Sequence, residues 1–284
     1  MVRKDVHEEN RRSWNAATVA QHSHRGDVAS FLRAGGTTLF PEERDLLGDL
    51  AGQRVAHLQC GTGLDTLSLA SLGARVTGVD ISDTAIEIAR GLARETAIPA
   101  AFACGDVYDW LATTAEGSER FDLAYSGYGI LSWLSDVPLW ARGIAAILRP
   151  GGRVVVIDFH PIALTINEHG QHILPYFNRE ALRWASGVGD YVAEARDALT
   201  PWGYVEGVQG FRNPHHATAF PWGVGDVVTA LADAGLTLAA LREYPYMNGA
   251  KLYAAMRELP GRRMTLPDGV PNAPLMYAVL AHTT

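Results

Sequence analysis

The 284-residue chain has little cysteine, modest charge and no long apolar run. Two cysteines, Cys60 and Cys104, cannot form the bridge framework of a small secreted fold. They read as small buried hydrophobes in a protein of the reducing cytoplasm. No apolar stretch approaches the roughly 18 residues that a membrane span requires. The segment from Met1 to Arg12 is charged and lacks the apolar centre of a signal peptide. Charged residues make up 19% with a net charge of −7, so no basic face for nucleic acid is expected. Two common phosphate loops are also missing. No Gly-Lys-Ser/Thr ending occurs, and the glycine turn that follows the first apolar strand has no third glycine. Hydrophobic residues are present in quantity, at 48%, enough for a core of useful size.

The stretch around which the chain is organised is Arg54-Val-Ala-His-Leu-Gln-Cys-Gly-Thr-Gly-Leu-Asp65. It reads as a short apolar strand, a glycine turn and a helix from about 64. That order presents bare backbone N–H groups and a helix N-terminus to a ligand. Ahead of it, residues 1–50 suggest a helical flap, with helices over about 5–20, 26–36 and 42–50. From 54 onward strands and helices alternate, which predicts a parallel α/β sheet over 51–160. The run 153–159 holds a continuous β-branched stretch, as is typical of a buried parallel strand. The alternation breaks over 161–222, a segment rich in Pro, Gly, His and aromatics. A structureless loop of that length is unusual, so an inserted cap with short strands of its own is expected. Residues 223–284 bring a helix over 224–234 and two more strands, which complete the sheet.

Candidate binding residues lie at the carboxyl ends of the parallel strands, where open α/β sheets take their ligands. Gly61 and Gly63 form the turn after the first strand. Asp80 ends the second, about as far along the chain after the glycine turn as an acid that binds a ribose diol, and its carboxylate can accept from two hydroxyls at once. Asp106 follows the third strand, and Tyr125 and Ser126 end the fourth.

This set resembles the class I S-adenosylmethionine-dependent methyltransferases. The resemblance rests on 55–65, on Gly78-Val-Asp-Ile-Ser82, on Cys104-Gly-Asp-Val107, on 121–126 and on Leu148-Arg-Pro-Gly-Gly152 with the strand behind it. It implies a Rossmann-like, seven-stranded, mostly parallel sheet with an antiparallel last strand, and S-adenosylmethionine as cofactor. By the same resemblance Gly61 and Gly63 lie against the methionine part. Asp80 binds the ribose, Ile81 and Val107 pack on the adenine, Asp106 accepts from its amino group, and Tyr125 and Ser126 sit beside the sulfonium. Two positions depart from the pattern. Gln59 stands where an acid is usual, and Asp65 where a third glycine is usual; Asp65 either supplies the missing carboxylate or caps its helix. Asn10-x-x-x-Trp14-Asn15 is similar to bacterial small-molecule methyltransferases, in which the N-terminal segment folds over the cofactor. That places Trp14, His22 and His24 near the methyl group.

The implied activity is methyl transfer to a small, partly apolar or aromatic metabolite at N, O or C, in secondary metabolism. A few proteins of this fold use the same pocket for non-methylating reactions such as cyclisation, which is the alternative. Methyl transfer needs alignment more than acid–base chemistry, since orientation alone can supply about 7–11 kcal/mol. His160, which follows the fifth strand, His24 from the flap and Tyr128 after the fourth strand are the candidate bases. No acid cluster accompanies the histidines, so no metal is expected. The flap can close its own site or, in a homo-oligomer, a neighbour's. Neither nucleic acid nor membrane is an expected partner.

Overall fold

A computed structural model describes residues 2–284; of the charged N-terminal stretch, Met1 lies outside them. Three helices come first, α1 (Lys4–Ser23), α2 (Val28–Arg33) and α3 (Pro41–Leu47). The alternating part follows as β1 (Arg54–Leu58), α4 (Leu64–Ser71), β2 (Arg75–Asp80), α5 (Asp83–Thr96) and β3 (Ala101–Cys104). It continues through α6 (Val107–Glu116), β4 (Phe121–Gly127), α7 (Val137–Ile147) and β5 (Leu148–Phe159). Apolar spacing alone does not announce α6, because only Val107, Tyr108 and Leu111 are buried along it. Asp106 caps it by accepting from the Tyr108 N–H.

Beyond β5 the chain forms β6 (Leu182–Trp184), α8 (Tyr191–Ala195) and β7 (Ala217–Ala219), with β6 and β7 paired as a two-stranded antiparallel sheet. Then come α9 (Val224–Asp233) and β8 (Leu236–Tyr244). A small antiparallel sheet of β9 (Met247–Asn248), β10 (Arg257–Leu259) and β11 (Arg263–Thr265) precedes the last strand, β12 (Met276–Thr283).

The main sheet has seven strands in the order β3-β2-β1-β4-β5-β12-β8. The first five are parallel, and β12 runs antiparallel to both β5 and β8. One face is packed by α6, α7 and α9, around the fully buried Trp140, Ile144 and Val156. The other is packed by α3, α4 and the small sheet, through Leu47, Leu69, Met247 and Met264 against Val155 and Ile157. Alternate residues of β5 therefore feed opposite layers, which is why its stretch Val154–Ile157 is apolar throughout. Chain order reverses between β1 and β4, so their carboxyl ends diverge and open a crevice.

Cys60 is buried as expected, but Cys104 is exposed. It ends β3, which lies at the margin of the sheet with a strand on one side only.

Glu43 joins α3 to the sheet. It is fully buried, accepts from the Phe40 N–H at 2.6 Å and from the Tyr125 hydroxyl. Burial, with the nearby Asp65 charge, pushes its carboxyl up to about 8, against the Tyr125 hydrogen bond. From the ordinary value of 4.5 up to about 8, the folded chain holds a proton here that the unfolded chain releases. This group therefore lowers stability as pH rises through that window. Glu43→Gln is expected to gain stability relative to the parent between pH 5 and pH 9. Denaturant midpoints of both proteins at the two pH values check this, and an equal difference at both would refute it.

Candidate active site

A cavity of about 550 Å³ opens at the crevice between β1 and β4. That volume lies inside the range of roughly 300–1,000 Å³ usual for small-molecule sites. Its floor is the set of strand ends and its roof is α1. His7, Asn10, Trp14, Thr18 and Gln21 of α1 all line it, at the three- and four-residue spacing of one helical face. The roof is fixed by side chains that act as backbone. The Asn10 amide donates to the Thr218 carbonyl at 2.9 Å and its oxygen accepts from the Thr218 N–H at 2.8 Å, extending the β6–β7 sheet by one side chain. Gln21 donates to the Gly189 carbonyl at 2.8 Å.

The glycine turn is held by Asp80. Its carboxylate accepts from the Gly61 N–H and the Ser82 N–H, each at 2.8 Å. Burial raises its pKa, and those N–H groups oppose the rise. Gly61 has a φ of +53°, and a Cβ there would meet nothing within 4 Å; it lines the cavity. Gly63 does not. At φ +76° it opens α4, and a Cβ would lie 2.8 Å from both Ala89 and Phe102, so its bareness serves packing. Ile81 and Val107 line the cavity, as does Asp106. Both Asp106 oxygens already have donors: His7 Nδ1 at 2.7 Å, Lys4 Nζ at 3.0 Å and the Tyr108 N–H at 2.9 Å. Burial would raise this carboxyl, yet the His7 and Lys4 contacts hold it below the usual range. His7 stacks on Tyr108 with centroids 5.5 Å apart.

At the opposite end lie Gln59 and Asp65. Gln59 donates to the Ile130 carbonyl at 3.0 Å, which leaves its Oε1 buried without a partner among the described residues. Asp65 faces the cavity and accepts from the Thr38 hydroxyl. Burial raises its pKa; the hydrogen bond and the guanidiniums of Arg25 and Arg262 oppose the rise. The Nε of Arg25, another lining residue, is also buried and unpartnered among the described residues. One cavity thus holds an unspent acceptor, an unspent donor and a carboxylate.

Several residues singled out in the sequence lie elsewhere. Tyr125 is fully buried on the α3 side of the sheet, hydrogen-bonded to Glu43, and Ser126 donates to the Leu58 carbonyl at 3.3 Å; neither lines the cavity. Gly127, Tyr128 and Gly129 face it instead. Neither His24 nor His160 lines it. His24 is a buried clasp: Nε2 meets Asp190 at 3.0 Å, while Nδ1 accepts the Gly207 N–H at 3.1 Å and meets the Tyr204 hydroxyl at 2.9 Å. His160 accepts from the Ile162 N–H at 3.2 Å and meets Glu243 at 3.0 Å. These two histidines spend their nitrogens on the fold, so the base roles expected of them are corrected. Tyr128 does face the cavity, with its hydroxyl accepting from Asn248 at 2.9 Å. Trp14 packs edge-on against Trp133 at 5.3 Å and Tyr191 at 6.3 Å.

Sequence reasoning passes over His7, Arg25, Asp158, Lys251 and Arg262, all in the lining. Asp158 accepts from the N–H groups of Gly129 and Leu131, and so shapes the loop after β4. Burial pushes its carboxyl up to about 6, against those bonds. Among the described residues five non-glycine residues have left-handed φ, and three of them, Gln59, Tyr128 and Arg262, line this cavity. Such strain collects where surroundings impose a conformation for a purpose.

Residues 55–152 match the family model described as a methyltransferase domain. A protein of Arabidopsis thaliana named "Probable thiol methyltransferase 2" is 30% identical over 141 residues, 45% of this chain and 59% of its own length. The ubiquinone biosynthesis O-methyltransferase of Methylobacterium sp. (strain 4-46) is 35% identical over 141 residues, 49% of this chain and 55% of its own length. The chain thus spans about half the length of the curated relatives it matches. A crystal structure of an S-adenosylmethionine-dependent methyltransferase from Clostridium acetobutylicum ATCC 824 superposes with a TM-score of 0.54 at 14% identity. It covers 85% of this chain and 88% of the other, which shows the shared fold. Residues 55–152 thus match a methyltransferase domain, and the sheet around them has the fold of the superposed S-adenosylmethionine-dependent methyltransferase.

The clasp role of His24 has a measurable consequence. His24→Ala leaves Asp190 and Gly207 without their partner, and is expected to cost about 1–3 kcal/mol of stability. Urea unfolding checks this; an unchanged midpoint would show that the clasp contributes nothing.

Proposed function

We propose that the chain is a methyltransferase that uses S-adenosylmethionine to methylate a small molecule in the cytoplasm. The observation that carries this is the joint chemistry of one cavity. Asp80 stands at the end of β2, and Gln59 Oε1, Asp65 and the Arg25 Nε stand at the other end, unspent or facing the space. An amino acid zwitterion joined to a nucleoside fits such a set. The matched methyltransferase model over 55–152 supports the same reading.

When bound, the cofactor supplies an activated methyl group on a sulfonium. The chain's own residues do the rest. Asp80 has lone pairs left for two ribose hydroxyls while it keeps the glycine turn in shape. Ile81 and Val107 give the adenine apolar walls, and His7 stacked on Tyr108 closes that end. Gln59 and Asp65 accept from the methionine ammonium, and Arg25 donates to its carboxylate. Asp65 does this from the first turn of α4, so the acid missing at position 59 is supplied from the helix side. The α1 roof excludes water, which strengthens each of these contacts.

Gly127, Tyr128 and Gly129 border the space where an acceptor would lie, beside Phe159, Leu164 and Leu199. Tyr128 is the one of the three base candidates that faces it. Its phenol is pushed well above the ordinary value, first by burial and then by Glu43, to which it is also hydrogen-bonded, so it stays protonated and borders the acceptor space as a positioning group and not as a phenolate base.

Calorimetric titration with S-adenosylhomocysteine tests the reading. The parent protein is expected to bind, and Asp80→Ala to bind about 10–100-fold more weakly, the worth of hydrogen bonds to a charged group. Absence of binding by the parent protein would end the proposal. Labelled methyl groups from S-adenosylmethionine are then followed into a panel of small acceptors, with Tyr128→Phe expected to slow transfer without weakening cofactor affinity.

A further inference from the structure

Two cations in the cavity lining, Lys251 and Arg262, have no carboxylate at ion-pair distance among the described residues, although Arg262 lies close enough to Asp65 and Glu43 to feel their charge. Lys251 has no hydrogen bond or ion pair among the described residues. The Arg262 guanidinium rests 4.2 Å over the Phe40 ring and donates to the Ala198 carbonyl at 3.3 Å. By contrast, the acids of the same cavity are engaged. Asp80, Asp106 and Asp158 each accept two or more hydrogen bonds, and Asp65 accepts from Thr38. Glu194 on α8 is the exception in the lining, an exposed acid with no side-chain hydrogen bond or ion pair among the described residues.

Both cations come from the stretch between β8 and β12, which the strand alternation of the core does not require. Arg262 holds its place at a conformational cost. It follows Gly261 in the β10–β11 connection, and both have left-handed φ, +85° and +63°. Glycine or asparagine would occupy the second position more easily than arginine. A strained residue whose side chain enters a cavity points to use of that side chain. Around the two cations lie flat and apolar groups. Phe40 and Tyr128 meet edge to face at 5.9 Å, Phe159 lies 6.0 Å from Tyr128, and Leu199 and Leu252 complete the wall.

We infer that the acceptor is a small planar carboxylate, its ring held between Tyr128, Phe40 and Phe159 and its anion paired with Lys251 and Arg262. This rests on the methyltransferase reading above and narrows its substrate class. A guanidinium and an ammonium converging on a carboxylate form charge-assisted hydrogen bonds in a partly desolvated space, where they discriminate strongly against a neutral isostere.

The test uses 4-hydroxybenzoate and its neutral isostere 4-hydroxybenzamide, titrated by calorimetry into the full chain, alone and saturated with S-adenosylhomocysteine. The acid is expected to bind at least about tenfold more tightly than the amide. Lys251→Met and Lys251→Glu should remove that preference, the second more completely. Both should bind S-adenosylhomocysteine like the parent, which also shows that they fold. Equal binding of acid and amide, or a preference untouched by either variant, overturns the inference. If S-adenosylhomocysteine fails to bind while the acid preference and its loss in the variants persist, the methyltransferase reading falls and the anion site stands.

Discussion

One carboxylate links the sheet to the ligand space. Asp80 ends β2, yet it accepts from the N–H that follows β1 and from the N–H that opens α5. It thereby ties two strand-to-helix connections into one rim. Without that tie, the turn at Gly61 has no fixed partner for its backbone, and the N–H groups facing the cavity have no reason to converge. In the proposed function the same carboxylate accepts from a sugar diol, so structure and binding would share one side chain. The charge is costly to bury, and two backbone donors offset the cost.

The roof depends on a similar economy. A helix lying across a crevice must bury one face without closing the space beneath it. In α1 this is done by a line of polar and aromatic residues in place of leucines. Asn10 and Gln21 satisfy backbone groups of the inserted segment, Ser13 accepts the Val188 N–H, and Trp14 packs on Trp133. The helix is therefore fastened to the cap-like segment more than to the sheet. In the proposed function, cofactor access and acceptor access then share one set of contacts, and any opening of the roof would loosen both.

Most of the core was legible in the sequence. The strand ends at Asp80 and Asp106, the glycine turn, and the apolar run of β5 are local patterns, and local patterns survive without a partner. The strand-end rim of the cavity was legible for the same reason, since parallel strands all deliver their carboxyl ends to one edge. The rest of the lining was not. His7, Arg25, Lys251 and Arg262 come from four segments whose convergence depends on packing. His160 and His24 carried the right chemistry, but their nitrogens proved to be spent on Glu243, Asp190 and backbone groups. No spacing rule tells a satisfied histidine from a free one.

Residue type and short-range order determined that this chain builds a seven-stranded α/β sheet with a ligand turn after its first strand. Only the tertiary structure decided which side chains stay unspent. Tyr125 turned into the core while Tyr128, three residues on, reaches the cavity, because the chain leaves the sheet there in a left-handed turn. Asp65 became a cavity acid because α4 begins beside the crevice, not because of its neighbours in sequence. Function at this site follows from unsatisfied hydrogen-bonding capacity, and that is a property of the whole fold.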